Sequence, residues 1–217
     1  VHADMMLTSH GANDEFIFSH KSINWYREYT AGNTTTHNRN CVGELSAMVE
    51  SMDMSRRNNM PVVLPVVMSF SSNRWGKASR SFQKVKDREQ RIDKAYRDAL
   101  KDLLDFKSVM DWVNAYERRT KEGREFKGVM EAFLNAIHDA IPALDNIVID
   151  RNQIEGQVHV TGMDTERQHY SNMSDGFKAM INVVAEIAYR SICLNGFLGE
   201  KAVKCTPGVV LIDEIEL

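Results

Sequence analysis

Two short stretches near the carboxyl end carry side chains suited to chemistry. The first is Gly208-Val209-Val210-Leu211-Ile212-Asp213-Glu214. Its four consecutive apolar residues predict a buried strand. Two acids then fall at the carboxyl end, where open α/β sheets hold ligands. A carboxylate at Asp213 is suited to hold Mg2+, directly or through water, against nucleotide phosphates. Glu214 beside it is suited to orient and deprotonate an attacking water. Acids also follow strands simply because a loop begins there, so this pattern alone does not define a nucleotide site. The second stretch is Ser171-Asn172-Met173-Ser174-Asp175-Gly176-Phe177-Lys178. Ser174 or Asp175 is placed to cap a helix that begins near Gly176. Free N–H groups and partial positive charge at such a start suit a phosphate, which the Ser174 hydroxyl and the Gly176 backbone can both approach. Taken alone, a plain helix cap is the simpler account of these residues.

The elements that must position these groups follow from periodicity and breakers. Residues 5–30 read as two or three strands, at Met5–Leu7, Glu15–Phe18 and Ile23–Tyr29, with breaks at Gly11–Asp14 and, after the third, at Gly32-Asn33. Thr34 to Asn40 is polar and reads as a loop. Glu44 to Asn58 reads as a helix with Leu45, Met48, Val49 and Met52 on one face. Val62 to Phe70 is a β-branched run expected of a strand buried on both faces, starting after Pro65, which has no ladder donor. Residues 81–140 are helical by pattern. Ile92, Tyr96, Ala99, Leu100 and Leu103 follow the helical period, as do Val129, Phe133, Ile137 and Ile141, with charges on the other positions. Gly123 and Gly128 bracket a loop, and Pro142 ends the last helix of this part. Strands are expected at Asn146–Asp150 and Gln157–Thr161, around a turn near Glu155-Gly156. A helix over Gly176–Leu194 stops at Asn195-Gly196. The result is an α/β chain with a helical subdomain. Residues 1–80 hold core strands and one helix, 81–145 the helical subdomain, and 146–217 the strand pair, the polar motif, its helix and the last strand.

Composition excludes several classes. No apolar run of the 217 residues approaches the ~18–20 needed to span a bilayer. Val1-His2-Ala3-Asp4 has no basic start and no apolar stretch after it, so no signal peptide is expected and a cytoplasmic location is. It also lacks an initiator Met, which suggests the interior of a longer protein. A net charge of −3 gives no global footprint for nucleic acid. Cys41, Cys193 and Cys205 form no CxxC and read as reduced thiols, and the seven histidines show no metal-ligand spacing. Arg74, Lys77, Arg80, Lys84 and Lys86 surround Trp75, a composition that suits a stacked base, although a solvated helix start is the reading adopted. Lys178 and Arg190 are read as solvent-facing, His159 and His169 as polar strand or loop residues, and Trp112 as core.

The order of Ser-Asp-Gly, long helix, short loop and apolar strand ending in Asp-Glu resembles that of ABC-type ATPases, including their SMC and DNA-repair relatives. Their signature motif reads Leu-Ser-Gly-Gly-Gln or Leu-Ser-Asp-Gly-Tyr, and Met173-Ser174-Asp175-Gly176-Phe177 is similar. Val209 to Asp213 resembles their Walker B strand, with Glu214 at the catalytic glutamate position. Asp213-Glu214-Ile215-Glu216-Leu217 looks like the Asp-Glu-Ile-Glu/Asp-x-His-Leu-His-Pro run of bacterial stand-alone ATPases, the predicted ATP-binding proteins linked to virulence. The ATPase subunits of Septu-type and retron-associated anti-phage systems are similar. The specific motifs cover residues 171–217 and a looser likeness covers 60–217.

The resemblance implies an ABC-type core sheet, a helical subdomain carrying the signature, and a head-to-tail homodimer with two ATP molecules at its interface. Asp213 would hold Mg2+ and Glu214 would be the general base. Ser174, Asp175 and Gly176 would be the ATP-binding signature residues, with Ser174 and Gly176 on the γ-phosphate of the partner subunit. Dimer closure would drive or license a partner, for which an effector nuclease in phage defence is the favoured reading. Two departures stand out. No GxxxxGK[ST] loop is present; the nearest stretch, Ser71 to Ala78, has Ser for the first Gly and Ala78 for the Mg2+-binding Ser/Thr. The glutamine-loop position, Ser71 to Arg74, has no Gln. The chain as it stands is therefore expected not to hydrolyse ATP by itself. Other classes remain open: a nucleotide sensor that does not hydrolyse, a scaffold, or the engine of a transporter, the last opposed by Asp-Glu-Ile-Glu in place of Asp-Glu-Pro-Thr.

Overall fold

A computed structural model of the chain describes residues 2–10, 16–24, 39–58, 60–71, 88–97, 99–100, 106–141, 144–149, 158–162, 168–169 and 173–213. Two compact units divide it, 1–63 and 64–217. In the first, β1 (His2–His10) pairs antiparallel with β2 (Phe16–Asn24) in unbroken register, from His2 opposite Asn24 to His10 opposite Phe16. The break expected at Gly11–Asp14 and residues 25–29 of the expected third strand lie outside the described residues. Helix α1 (Arg39–Arg57) packs against β2. It begins earlier than the period suggests, taking in Arg39 and Asn40, because no proline intervenes to stop it. Met48 is buried as expected. Val49 is 55% exposed, because each helical residue turns about 100° from the last. At the helix end Asp53 accepts from Arg56 and pairs with Arg57, both at 2.7 Å. The Met60 N–H donates to the Ser55 carbonyl at 3.0 Å, satisfying one of the last carbonyls of the helix.

The second unit is built around a parallel strand pair and one central helix. β3 (Val66–Phe70) starts one residue after Pro65, as the missing donor requires. The Pro65 carbonyl instead accepts the Tyr96 hydroxyl at 2.8 Å. α2 (Arg88–Tyr96), α3 (Phe106–Lys121) and α4 (Val129–Ala140) follow. Gly123 (φ 67°) and Gly128 (φ 77°) flank the α3–α4 loop in the left-handed region, which side chains disfavour. The expected helical run through Ala99 and Leu100 is not continuous: α2 ends at Tyr96, and Leu100 is 62% exposed. Leu103 and Pro142 lie outside the described residues.

β4 (Leu144–Ile149), β5 (Val158–Gly162) and the two-residue β6 (Gln168–His169) form an antiparallel sheet in that order. The expected turn at Glu155-Gly156 is outside the described residues. α5 (Asp175–Asn195) runs on into a 3-10 stretch, Gly196–Lys201, before β7 (Gly208–Ile212). The α-helix ends at Asn195 as expected, with Gly196 as its C-cap in right-handed backbone (φ −58°). A side chain there would strike the Phe126 ring, so the glycine is required by packing. β7 lies parallel to β3, with Val66 opposite Gly208 and Phe70 opposite Ile212. The described residues thus mix helices with small sheets.

α5 is apolar on two sides, as a buried helix should be. Ile181, Ala185, Ala188 and Ile192 face a helical core with Val109 and Phe133. Val183 and Leu194 face a second core with Val66, Met68 and Phe70. Trp112 anchors the helical core, its ring 5.4 Å from Phe133 and 5.5 Å from Tyr189. The strands differ from expectation in one respect. The first was expected to be buried on both faces and the second to be buried, yet Val67, Val209 and Leu211 are 38%, 57% and 60% exposed. Among the described residues only one face of the pair is covered, by α5 and α2.

Candidate functional site

The parallel ladder sets where the acids emerge. Its last bond is donated by the Asp213 N–H to the Phe70 carbonyl, at 2.9 Å. The exits of β3 and β7 therefore lie side by side at one carboxyl edge, Ser71 leaving one strand and Asp213 the other. Asp213 is exposed there. It follows directly on the carboxyl end of β7, as the sequence predicts. Glu214 lies outside the described residues, as do residues 72–78 of the stretch compared with a phosphate loop and the basic stretch around Trp75.

Ser174 caps α5. Its hydroxyl accepts from the Phe177 N–H at 3.4 Å, in extended backbone (φ −61°, ψ 153°). This settles the capping choice in favour of Ser174 over Asp175, whose carboxylate pairs with Lys178 at 3.6 Å. Ser174, Asp175 and Gly176 are all exposed, and nothing lies within 4 Å of the place a Gly176 side chain would occupy. Phe177 and Met180 beside them are 38% and 48% exposed, an apolar opening on an otherwise buried helix that the motif alone did not signal.

The other end of α5 fixes its direction. Asn195, fully buried, accepts from the Leu64 N–H and donates to the Leu64 carbonyl, both at 2.8 Å. A third bond runs from its amide to the Thr206 hydroxyl at 2.8 Å. The helix end is thus tied to the approach to β3 and to the approach to β7, and α5 runs back antiparallel to β3. Ser174 at the start of α5 and Asp213 at the end of β7 thus lie towards the same end of the unit.

Two buried charged clusters hold the frame. Arg190, read from sequence as solvent-facing, is 4% exposed. It donates to Glu186 at 2.8 Å and to the Ala95 and Arg97 carbonyls at 2.6 and 3.0 Å, closing the end of α2. A guanidinium suits the negative end of a helix. Glu125 accepts from Arg91 at 2.8 Å and from Trp112 Nε1 at 2.9 Å, and pairs with Arg119 at 3.4 Å. Its only sequence signal is an acid beside a glycine-bracketed loop, which ordinarily reads as surface. Partly buried Cys193 packs against both cores, and burial pushes its thiol up to about 11. Among the described residues no three His, Cys, Asp or Glu cluster as a metal site, and no helix is long and apolar enough to cross a membrane. Compared with protein-family models and with curated proteins, the chain matches none.

Proposed function

We propose that the chain is part of an ABC/SMC-like ATPase whose head-to-tail homodimer closes on ATP and Mg2+. The observation that carries this reading is the exposed Asp213 at the carboxyl edge of a parallel pair, its backbone fixed to Phe70. Ser174 is exposed at the start of α5, and the ABC-like reading would give it to a phosphate held by a second subunit. An exposed carboxylate suits Mg2+, which takes one or two protein oxygens and completes its shell with phosphate and water. The ion would neutralise charge on the phosphates. Asp213 would hold it, and Glu214 would orient the attacking water and accept its proton. Ser174 and the Gly176 backbone of the partner subunit would donate to the γ-phosphate. The phosphate-cradling loop such a site needs is not in this sequence, so the reading concerns the natural full-length polypeptide. Closure would license a partner, with an effector nuclease in phage defence as the proposed one.

The Glu214→Gln variant of that polypeptide tests the chemistry. An ATPase loses turnover by 10²-fold or more, the ordinary worth of a general base, while nucleotide binding survives. Turnover within twofold of wild type removes Glu214 from the mechanism and favours a sensor.

A further inference from the structure

The parallel ladder leaves one side of β7 open. Val66 donates its N–H to the Pro207 carbonyl at 2.8 Å, and Asp213 donates its N–H to the Phe70 carbonyl at 2.9 Å. Backbone groups of successive strand residues point to alternate sides. Odd-numbered positions of β7 therefore face β3, and Gly208, Val210 and Ile212 turn their N–H and carbonyl groups to the outer edge. No described strand pairs there. An edge of this kind is ordinarily blunted by a lysine, a proline or a bulge. Gly208–Ile212 holds none of the three, and its register with β3 is unbroken. Val209 and Leu211 add exposed apolar side chains on one face, while Val210 and Ile212 on the other are only partly buried. The size of the edge decides what fits it. Five residues fall far short of the ~20–30 a side in a stable contact between folded proteins. One short extended segment, by contrast, satisfies such an edge by adding a strand. We propose that the outer edge of β7 takes an extended segment of a partner protein as an added strand, hydrogen-bonded to Gly208, Val210 and Ile212 and carrying bulky apolar side chains next to Val209 and Leu211.

The probe is a fluorescein-labelled, end-blocked hexapeptide of alternating valine and threonine, read by anisotropy. An N-methylated copy that lacks the edge donors is the control. Wild type should bind the probe saturably and the control at least ~tenfold more weakly. Val210→Pro removes an outward N–H that the β3 ladder does not use, and Leu211→Lys puts a charge on the exposed face. Each should weaken probe binding by a similar factor. Urea midpoints show which variants are folded, and the control peptide keeps the result readable if one is not. Absence of saturable binding to wild type, equal binding of probe and control, or equal affinity in wild type and a folded variant overturns the proposal. A wild-type chain that doubles in mass by light scattering, and stops doing so with Val210→Pro, gives the edge to a second copy and also overturns it.

Discussion

Asn195→Ala should be among the most damaging substitutions in the chain. The side chain is fully buried and makes three hydrogen bonds of 2.8 Å, two to Leu64 and one to Thr206. At ~1 kcal/mol net for each, their loss costs about 3 kcal/mol. For a protein of this size, ~2–4 °C per kcal/mol converts that to a fall of about 6–12 °C in Tm. Asn195→Asp should do no better. It keeps an acceptor for the Leu64 N–H but turns a carboxylate oxygen towards the Leu64 carbonyl, in a fully buried site. Urea and thermal unfolding of the three proteins measure the effect. A loss below about 1 kcal/mol for Asn195→Ala would refute the claim that this amide ties α5 to both strands.

Glycines provide a paired prediction. Gly208→Ala would press a methyl onto the Val66 carbonyl oxygen and should lower stability by ~1–3 kcal/mol. Gly43→Ala, in open space within α1, should raise it by up to ~1 kcal/mol; urea midpoints of both variants check the signs. Cys193 makes a pH prediction. Its thiol has a folded value of about 11 against an ordinary 9.0, so the folded state holds the proton more tightly. Stability from this residue is complete below pH 9 and is lost as pH rises towards 11. Alkylation mapped by mass spectrometry near pH 8 should therefore mark exposed Cys205 long before Cys193, and equal rates would contradict it.

Much of this architecture is legible where a residue acts locally. Pro65 dictates the start of β3, Ser174 caps α5 through its own hydroxyl, and the period of Val129, Phe133 and Ile137 gives the buried face of α4. What the chain does not reveal locally are roles set by distant partners. Asn195 and Gly196 look like a helix stop, yet one bonds Leu64 across the sequence and the other admits the Phe126 ring. Arg190 and Glu125 look like surface charges until α2 and Trp112 are packed against them. Val209 and Leu211 look buried because apolar runs usually are, and no periodicity tells which face of a strand remains open. Of the candidate site, the position of Asp213 and the cap at Ser174 were readable. That both lie towards the same end of the unit was not, because it depends on the antiparallel return of α5.

The central claim is that Ser174 serves a nucleotide held by a second subunit. Light scattering of the full-length polypeptide carrying Glu214→Gln, with and without Mg-ATP and again with Ser174→Arg, tests it most directly. A monomer that doubles in mass with Mg-ATP, and fails to do so with Ser174→Arg although ATP still binds, is the predicted result. A mass that ignores ATP in a protein that binds it, or a dimer indifferent to Ser174→Arg, would contradict the account.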